Sequence, residues 1–403
     1  VIEMAEAAYE LLIDAARASC GEPQHLHVVR AGLERFAEEG QSWPMLLATA
    51  GHHGLLPGLT SALRLSDWQC VPPAVRERLE ARHQRHVRTT LSQVSALYAI
   101  CGRFREAGVP AVSWKGPLLA HSLYGSYLAR ESGDLDFLMD PDERIIGATL
   151  LRGMGFRRHR KTRSDRLERK ISRLDGDQGF IRASDNVYVE LHTQPMPARF
   201  TNWQLRREYL RDAEPAMLDQ GTTVLQLRPQ DLLLSLAGHA IKHHWERLKW
   251  VQDIALFLRV YRHRMDWAAL LAETRESGKS LALVHTVALA ATVFDAAVPG
   301  AVQASPELAR TSGITQHIAR MLRQTDRGLA PEYEIRALTA LLQPSPMARL
   351  RFTLHRALEP QLCDFNDSFS RSPLLCKWHR VAQQVQARGL SDRTTQAPRG
   401  EAR

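Results

Sequence analysis

Ser113-Trp-Lys-Gly-Pro-Leu-Leu-Ala120 and the later Gly133-Asp-Leu-Asp-Phe-Leu-Met139 decide the fold. In an extended strand residues i and i+2 share a face, so Asp134 and Asp136 point one way while Leu135 and Phe137 point into a core. Adjacent carboxylates repel, and the arrangement is costly unless a cation, most simply a divalent metal, sits between them. Upstream, Pro110 to Trp114 reads as a brief strand, Lys115-Gly116 as the turn leaving it, and Pro117 as the first residue of a helix running to about Tyr124. Gly116 then stands at a helix N-terminus, where free N–H groups and the positive end of the dipole favour a phosphate.

Working outward, Val187-Tyr-Val-Glu-Leu-His192 alternates as a strand does and puts Glu190 on the face of Tyr188 and His192. A glycine-led helix start, paired aspartates on one strand and a lone acid on another are the parts of a two-metal nucleotidyl-transfer site. Asp134, Asp136 and Glu190 are its candidate metal ligands and catalytic carboxylates. Asp140-Pro-Asp-Glu143 instead has the acid, first-turn proline and glutamate of a capped helix start, which gives those acids a structural job, and Gly155 closes that helix after Met154.

Several motifs recur in a familiar order: Lys115-Gly116, Arg130 ahead of Gly133-Asp134-Leu-Asp136, Gly155-Phe156, Val189-Glu-Leu-His192, and His239-Ala-Ile-Lys-His-His-Trp-Glu-Arg-Leu-Lys-Trp-Val-Gln-Asp253. Over roughly residues 40–300 the chain resembles the uncharacterised nucleotidyltransferases of the polymerase-beta-like superfamily, whose members include proteins of bacterial exopolysaccharide and lasso-peptide clusters. The resemblance implies an α+β fold, with a small mixed β-sheet core flanked by N-terminal and C-terminal helical regions. It also implies Mg²⁺, two ions, with an NTP such as ATP as substrate and a peptide, sugar or other small molecule as acceptor. Where the superfamily has Gly-Ser or Gly-Gly, Pro117 follows Gly116, so the phosphate contact expected here is a backbone one. Arg130, four residues before Asp134, is close enough to reach a metal-held phosphate.

Between Asp231 and Arg259 one apolar stripe runs through Leu234, Ala237, Ile241, Leu248, Val251, Ala255 and Leu258, as on a single helix, and His239, Lys242, Glu246, Lys249 and Asp253 make a second stripe. The resemblance turns the second stripe toward the site, with Lys242 and Lys249 as phosphate contacts, Asp253 as their ion-pair partner and His239 as a candidate base. His243, His244 and the pair His52-His53 are expected at the surface.

The chain has 403 residues, enough for two or three domains, and a formal charge of +9 that suits an anionic substrate. The domains read as 1–105 helical, 106–200 the α/β core, 201–345 helical and 346–403 a helical extension with a disordered basic tail, including a helix from Ser372 to Arg388. Its five cysteines, Cys20, Cys70, Cys101, Cys363 and Cys376, form no Cys-x-x-Cys pair, which argues against a zinc ribbon or a disulfide framework and for a reducing cytoplasm. No apolar stretch approaches the ~20 residues of a membrane span, and the first residues lack a basic secretory n-region. The basic run 157–173 reads either as a flap recruiting a triphosphate or acidic acceptor, or as a solvated excursion between strands. Two other readings remain open: a nucleotide-binding scaffold without turnover, and a nucleic-acid-binding protein using that run.

Overall fold

The alternating run around Asp136 becomes the middle of a sheet. The computed structural model describes residues 6–19, 25–159, 176–196, 207–218, 223–323, 340–343, 345–350 and 353. Its strands are β1 (Val112–Ser113), β2 (Leu135–Leu138), β3 (Arg157–Arg158), β4 (Asp177–Arg182), β5 (Val187–His192), β6 (Glu214–Met217) and β7 (Thr223–Gln226). They form a 7-stranded sheet in the order β3-β4-β5-β2-β1-β7-β6. β2 pairs parallel with β5 and β1 with β7, and the other neighbours are antiparallel. β6 and β7 lie beyond residue 200, in a stretch expected to be helical. Only Val224 of β7 is fully buried, so so short a strand leaves no period-two signal.

Helices flank the sheet on both sides in the chain, giving a mixed α+β architecture. Before it come α1 (Glu6–Ala18), α2 (Leu26–Glu38), α3 (Trp43–His53), α4 (Leu56–Leu65) and α5 (Pro73–Glu106). Within it lie α6 (Gly116–Tyr124) and α7 (Pro141–Gly153). After it follow α8 (Pro229–Lys242), α9 (Leu248–Tyr261), α10 (Trp267–Glu276), α11 (Ser280–Phe294), α12 (Gly300–Gln303) and α13 (Pro306–Leu322). Asp266 caps α10 by accepting from the Ala269 N–H at 2.9 Å. Asp140 takes the N-cap position of α7 without a side-chain hydrogen bond, so the first-turn acids Asp142 and Glu143 act there through the helix dipole.

Strand alternation divides the interior in two. Leu135, Phe137, Val189 and Leu191 pack with Leu97, Ile100 and Phe104 of α5 and Leu151 of α7, and the rings of Phe104 and Phe137 meet edge to face at 5.5 Å. Val112, Trp114, Leu119 and Leu138 belong to a second cluster that also takes in α1 to α4 and the helices from α8 onward, so N-terminal and C-terminal helices share one core.

The expected single helix over 231–259 is broken. Between α8 and α9 both His244 (φ 57°) and Trp245 (φ 49°) are left-handed, at roughly 1–2 kcal/mol each. The break buries the Trp245 indole to 1% exposure, and burying 150–250 Å² of aromatic surface contributes about 4–6 kcal/mol, which offsets that strain and the cost, about 1–3 kcal/mol, of an indole N–H with no partner among the described residues. The new N-terminus of α9 needs partners for its free N–H groups, and the Leu248 N–H donates to His53 Nδ1 at 3.3 Å. His53, expected at the surface, is therefore fully buried, while its neighbour His52 is exposed.

Residues 160–173 of the basic run, the helix expected over 372–388 and the tail after it lie outside the described residues. No helix among the described residues is long and apolar enough to cross a membrane.

His285 makes this core sensitive to acid. It is fully buried, its Nδ1 lies 2.9 Å from Thr315 Oγ1, and Trp245 stands edge-on at 4.7 Å. Burial pushes its pKa from 6.5 down to about 3. The unfolded chain therefore takes up a proton below pH 6.5 that the folded chain refuses until about pH 3. Stability is held above that window and falls through it with about 1.4 kcal/mol lost per pH unit. Thermal unfolding at pH 7, 6, 5 and 4 should show the wild-type midpoint dropping, and the gap to His285→Asn narrowing as the pH falls.

Candidate active site

The parallel register sets Asp136 opposite Glu190 and Leu138 opposite His192. All four point away from the Phe137 side of the sheet, because side chains alternate along each strand. Asp136 is 1% exposed. Its Oδ1 lies 2.9 Å from His192 Nε2 and 3.3 Å from Lys115 Nζ, and the same His192 nitrogen lies 3.1 Å from Glu190 Oε2. Lys115 reaches this place across Trp114, with its ammonium 4.1 Å from the ring centroid. Gly179 of β4, opposite Glu190, leaves the space in which the Tyr188 hydroxyl hydrogen-bonds Glu190, since a Cβ there would collide with it.

These contacts set the charges. Burial pushes the Asp136 carboxyl up, yet Lys115 and the hydrogen bond from His192 override it and hold the group below the usual carboxylate range. Glu190 is lowered too, burial being outweighed by the hydrogen bond from His192. Burial would lower His192, but its bonds to Asp136 and Glu190 raise it to about 9. Asp134, repelled by Asp136 and half-buried, is pushed up to about 6.

A metal fits this arrangement. Asp136 Oδ2 is buried with no hydrogen-bond partner among the described residues, and an unpaired buried carboxylate oxygen is costly without a cation. Asp136, Glu190 and His192 each bring one atom of a ligand type within 4.8 Å of the others, and His192 Nε2 could coordinate only after giving up the proton it shares with the two carboxylates. Asp134, one residue ahead of β2, stands beside this set and is not one of the three. The carboxylate oxygens suit a hard divalent ion. Alternation along the strand places His192 on this face without assigning it a role, and its position two residues after Glu190 is the signal for one.

Gly116 forms the adjoining edge. Its φ is +64°, and a Cβ there would lie 2.8 Å from the Asp134 carbonyl oxygen, so both conformation and close approach require glycine. Lys115 occupies the N-cap of α6 and makes no side-chain cap bond, and the start of a helix is a place where backbone N–H groups and the dipole favour an anion.

α8 and α9 supply the opposite wall. Lys115, Gly116 and Asp134 face His239, His243, Lys249 and Trp250 across a cleft of about 310 Å³. Burial, with nearby Lys115 and Lys242, keeps His239 neutral well below its ordinary value and brings His243 down to about 3. Burial, aided by Arg130, lowers Lys249 to about 8, and its ammonium lies 3.4 Å from the Glu131 carbonyl oxygen. His243, expected at the surface, faces the cleft because the helix ends at that point. Lys242 is not among the residues lining it. A larger cavity of about 440 Å³ beside Phe104, Val109 and Val224 holds none of the carboxylates.

Asp253, expected as the ion-pair partner of Lys242 and Lys249, acts on Lys249 through its charge and hydrogen-bonds elsewhere. Its Oδ1 and Oδ2 accept from Arg130 Nε at 2.7 Å and Nη2 at 2.8 Å, and Oδ1 also accepts from the Tyr124 hydroxyl at 2.7 Å. Arg130, expected to reach a phosphate, borders the cleft but is 7% exposed and already engaged in that pair.

A comparison with curated proteins finds no match. Against protein families, residues 39–295, more than half of the chain, match the model described as Uncharacterised nucleotidyltransferase. The matched span holds the carboxylate strands, the glycine-led helix and the α8–α9 wall together, and the chain belongs to this family of uncharacterised nucleotidyltransferases.

Proposed function

We propose that this chain is a metal-dependent nucleotidyltransferase that moves an NMP from an NTP to a hydroxyl or phosphate acceptor, in a bacterial pathway building a natural-product peptide or a polysaccharide. The observation that carries the reading is the side-by-side pairing of Asp136 with Glu190, one Asp136 oxygen having no hydrogen-bond partner among the described residues, next to the glycine-led start of α6. Asp134, Asp136 and Glu190 are the groups that would hold two Mg²⁺ ions. Bound there, Mg²⁺ would neutralise phosphate charge, lower the pKa of the attacking hydroxyl and stabilise the leaving pyrophosphate.

The chain's own residues do the rest. The first N–H groups of α6, with Lys115 and Lys249, receive the phosphate tail along the cleft. His239 lines the cleft as a neutral imidazole, and because burial holds its pKa well below the ordinary value it is a weak base, so the metal-activated hydroxyl carries the proton loss. His192 keeps Asp136 and Glu190 in one orientation by bonding both. Family membership supports transfer of a nucleotidyl group in general, and the acidic set supports use of a divalent cation.

The test is incubation with each of the four α-labelled NTPs, Mg²⁺ and the products of neighbouring genes, reading label transfer by mass and pyrophosphate release. One NTP should give label transfer matched by pyrophosphate; no transfer and no pyrophosphate with any of the four would sink the proposal. Asp136→Asn should lower kcat by about 10³-fold or more, roughly 4 kcal/mol of transition-state stabilisation. Gly116→Ala must adopt a positive φ against a backbone carbonyl, so it should lower stability by about 1–3 kcal/mol and raise KM for the NTP. Calorimetry with steady-state kinetics measures both effects, and unchanged values for this variant would remove Gly116 from the phosphate edge.

A further inference from the structure

Arg130, Asp253 and Tyr124 form a buried group that no step of the proposed reaction uses. Arg130 is 7% and Asp253 1% exposed, and the guanidinium meets the carboxylate with two parallel bonds of 2.7 and 2.8 Å. Such a pair loses the hydration of both charges, so it is a poor source of stability and is better explained by the geometry it enforces. The fork fits only one relative orientation of the two groups.

That orientation joins three elements of the cleft. Asp253 lies on α9, one turn after Lys249. Tyr124, whose hydroxyl donates to Asp253 at 2.7 Å, ends the helix that Gly116 begins. Arg130 opens the segment leading to Asp134, and its Nη1 donates within that segment to the Glu131 carbonyl and the Ser132 hydroxyl, each at 3.4 Å. Gln93 Nε2 donates to the Ser132 carbonyl at 3.1 Å from α5, and Lys249 Nζ to the Glu131 carbonyl at 3.4 Å. The segment then delivers the Asp134 carbonyl against Gly116. With its charge matched by Asp253, Arg130 adds no net positive charge for a phosphate tail.

We infer that Arg130, Asp253 and Tyr124 are positioning residues for nucleotidyl transfer: they lock residues 131–134 and the Lys249 wall onto α6, so that Asp134 and the phosphate-binding helix start keep their spacing. The inference rests on the proposed function for its catalytic readout, and its structural readout stands without it.

The experiment combines kinetics with hydrogen exchange on wild type, Tyr124→Phe, Asp253→Asn, Arg130→Lys and the Arg130→Lys/Asp253→Asn double variant. Tyr124→Phe removes one hydroxyl and keeps the ring, which preserves folding. Expected are faster exchange over 131–136 with the α11 peptide unchanged, and kcat lower by about 3-fold or more in Tyr124→Phe and about 10-fold or more in the other single variants. KM for the NTP should move less than kcat, and the double variant should be no worse than the singles, because each already breaks the same unit. Wild-type protection of 131–136 in Tyr124→Phe and Asp253→Asn would overturn the inference, as would lost protection with unchanged kcat. Asp253→Asn lowering KM while Arg130→Lys raises it, with additive effects, would make Arg130 a phosphate ligand instead. A wild type inactive with every NTP defeats the proposed reaction and leaves the exchange result to decide the locking of 131–134.

Discussion

A carboxylate buried in the middle of a sheet, Asp136, is the constraint on which the rest of this structure depends. A lone buried charge is expensive, and here it is shared between the Lys115 ammonium and the His192 imidazole. Both partners come from places the chain must deliver accurately: Lys115 from the turn between β1 and α6, His192 from the far end of the strand beside β2. The parallel pairing of β2 with β5 therefore aligns backbones and assembles the charge-balanced centre at once, because a one-residue slip would turn Glu190 and His192 to the opposite face.

The helices are arranged to support that centre. On one side α5 and α7 cover the apolar residues of β2 and β5. On the other, α8 and α9 leave a cleft lined by Lys115, Gly116 and Asp134 rather than sealing it, and Asp136 and Glu190 are not among the residues that line it. The break between them makes this possible: an unbroken helix would put His243 and Lys249 on one continuous cylinder, whereas the turn at His244 and Trp245 lets both helices contribute to the same wall. The N-terminal helices take part as well, since His53 accepts from the first N–H of α9. Residues nearly two hundred positions apart, His53 and Leu248, thus fix the wall that carries Lys249.

Much of this was legible in the order of residues. The alternation around Asp136 and Glu190, the glycine and proline at the start of α6 and the acid-and-proline start of α7 all declare themselves locally, because each depends on backbone geometry within a few residues. The resemblance built on those motifs agrees with the family to which residues 39–295 match. Less legible were β6, at the sheet edge, and its neighbour β7, each only four residues long and mostly half-buried or exposed.

The sequence by itself determined which side chains share a strand face or begin a helix, since those relations follow from the two-residue and 3.6-residue repeats of the backbone. It determined in this way that Asp134 and Asp136 share a face and that Glu190 and His192 share another. Only the tertiary structure decided that those two faces meet, that His192 bridges them, that Asp253 belongs to Arg130 and Tyr124 rather than to the lysines beside it, and that His243 turns inward. Each of these is a contact between distant segments or the result of burying one side chain, Trp245, at the expense of local helix geometry. Charge pairing across a fold is chosen by distance and burial in three dimensions, and spacing along the chain carries no record of either.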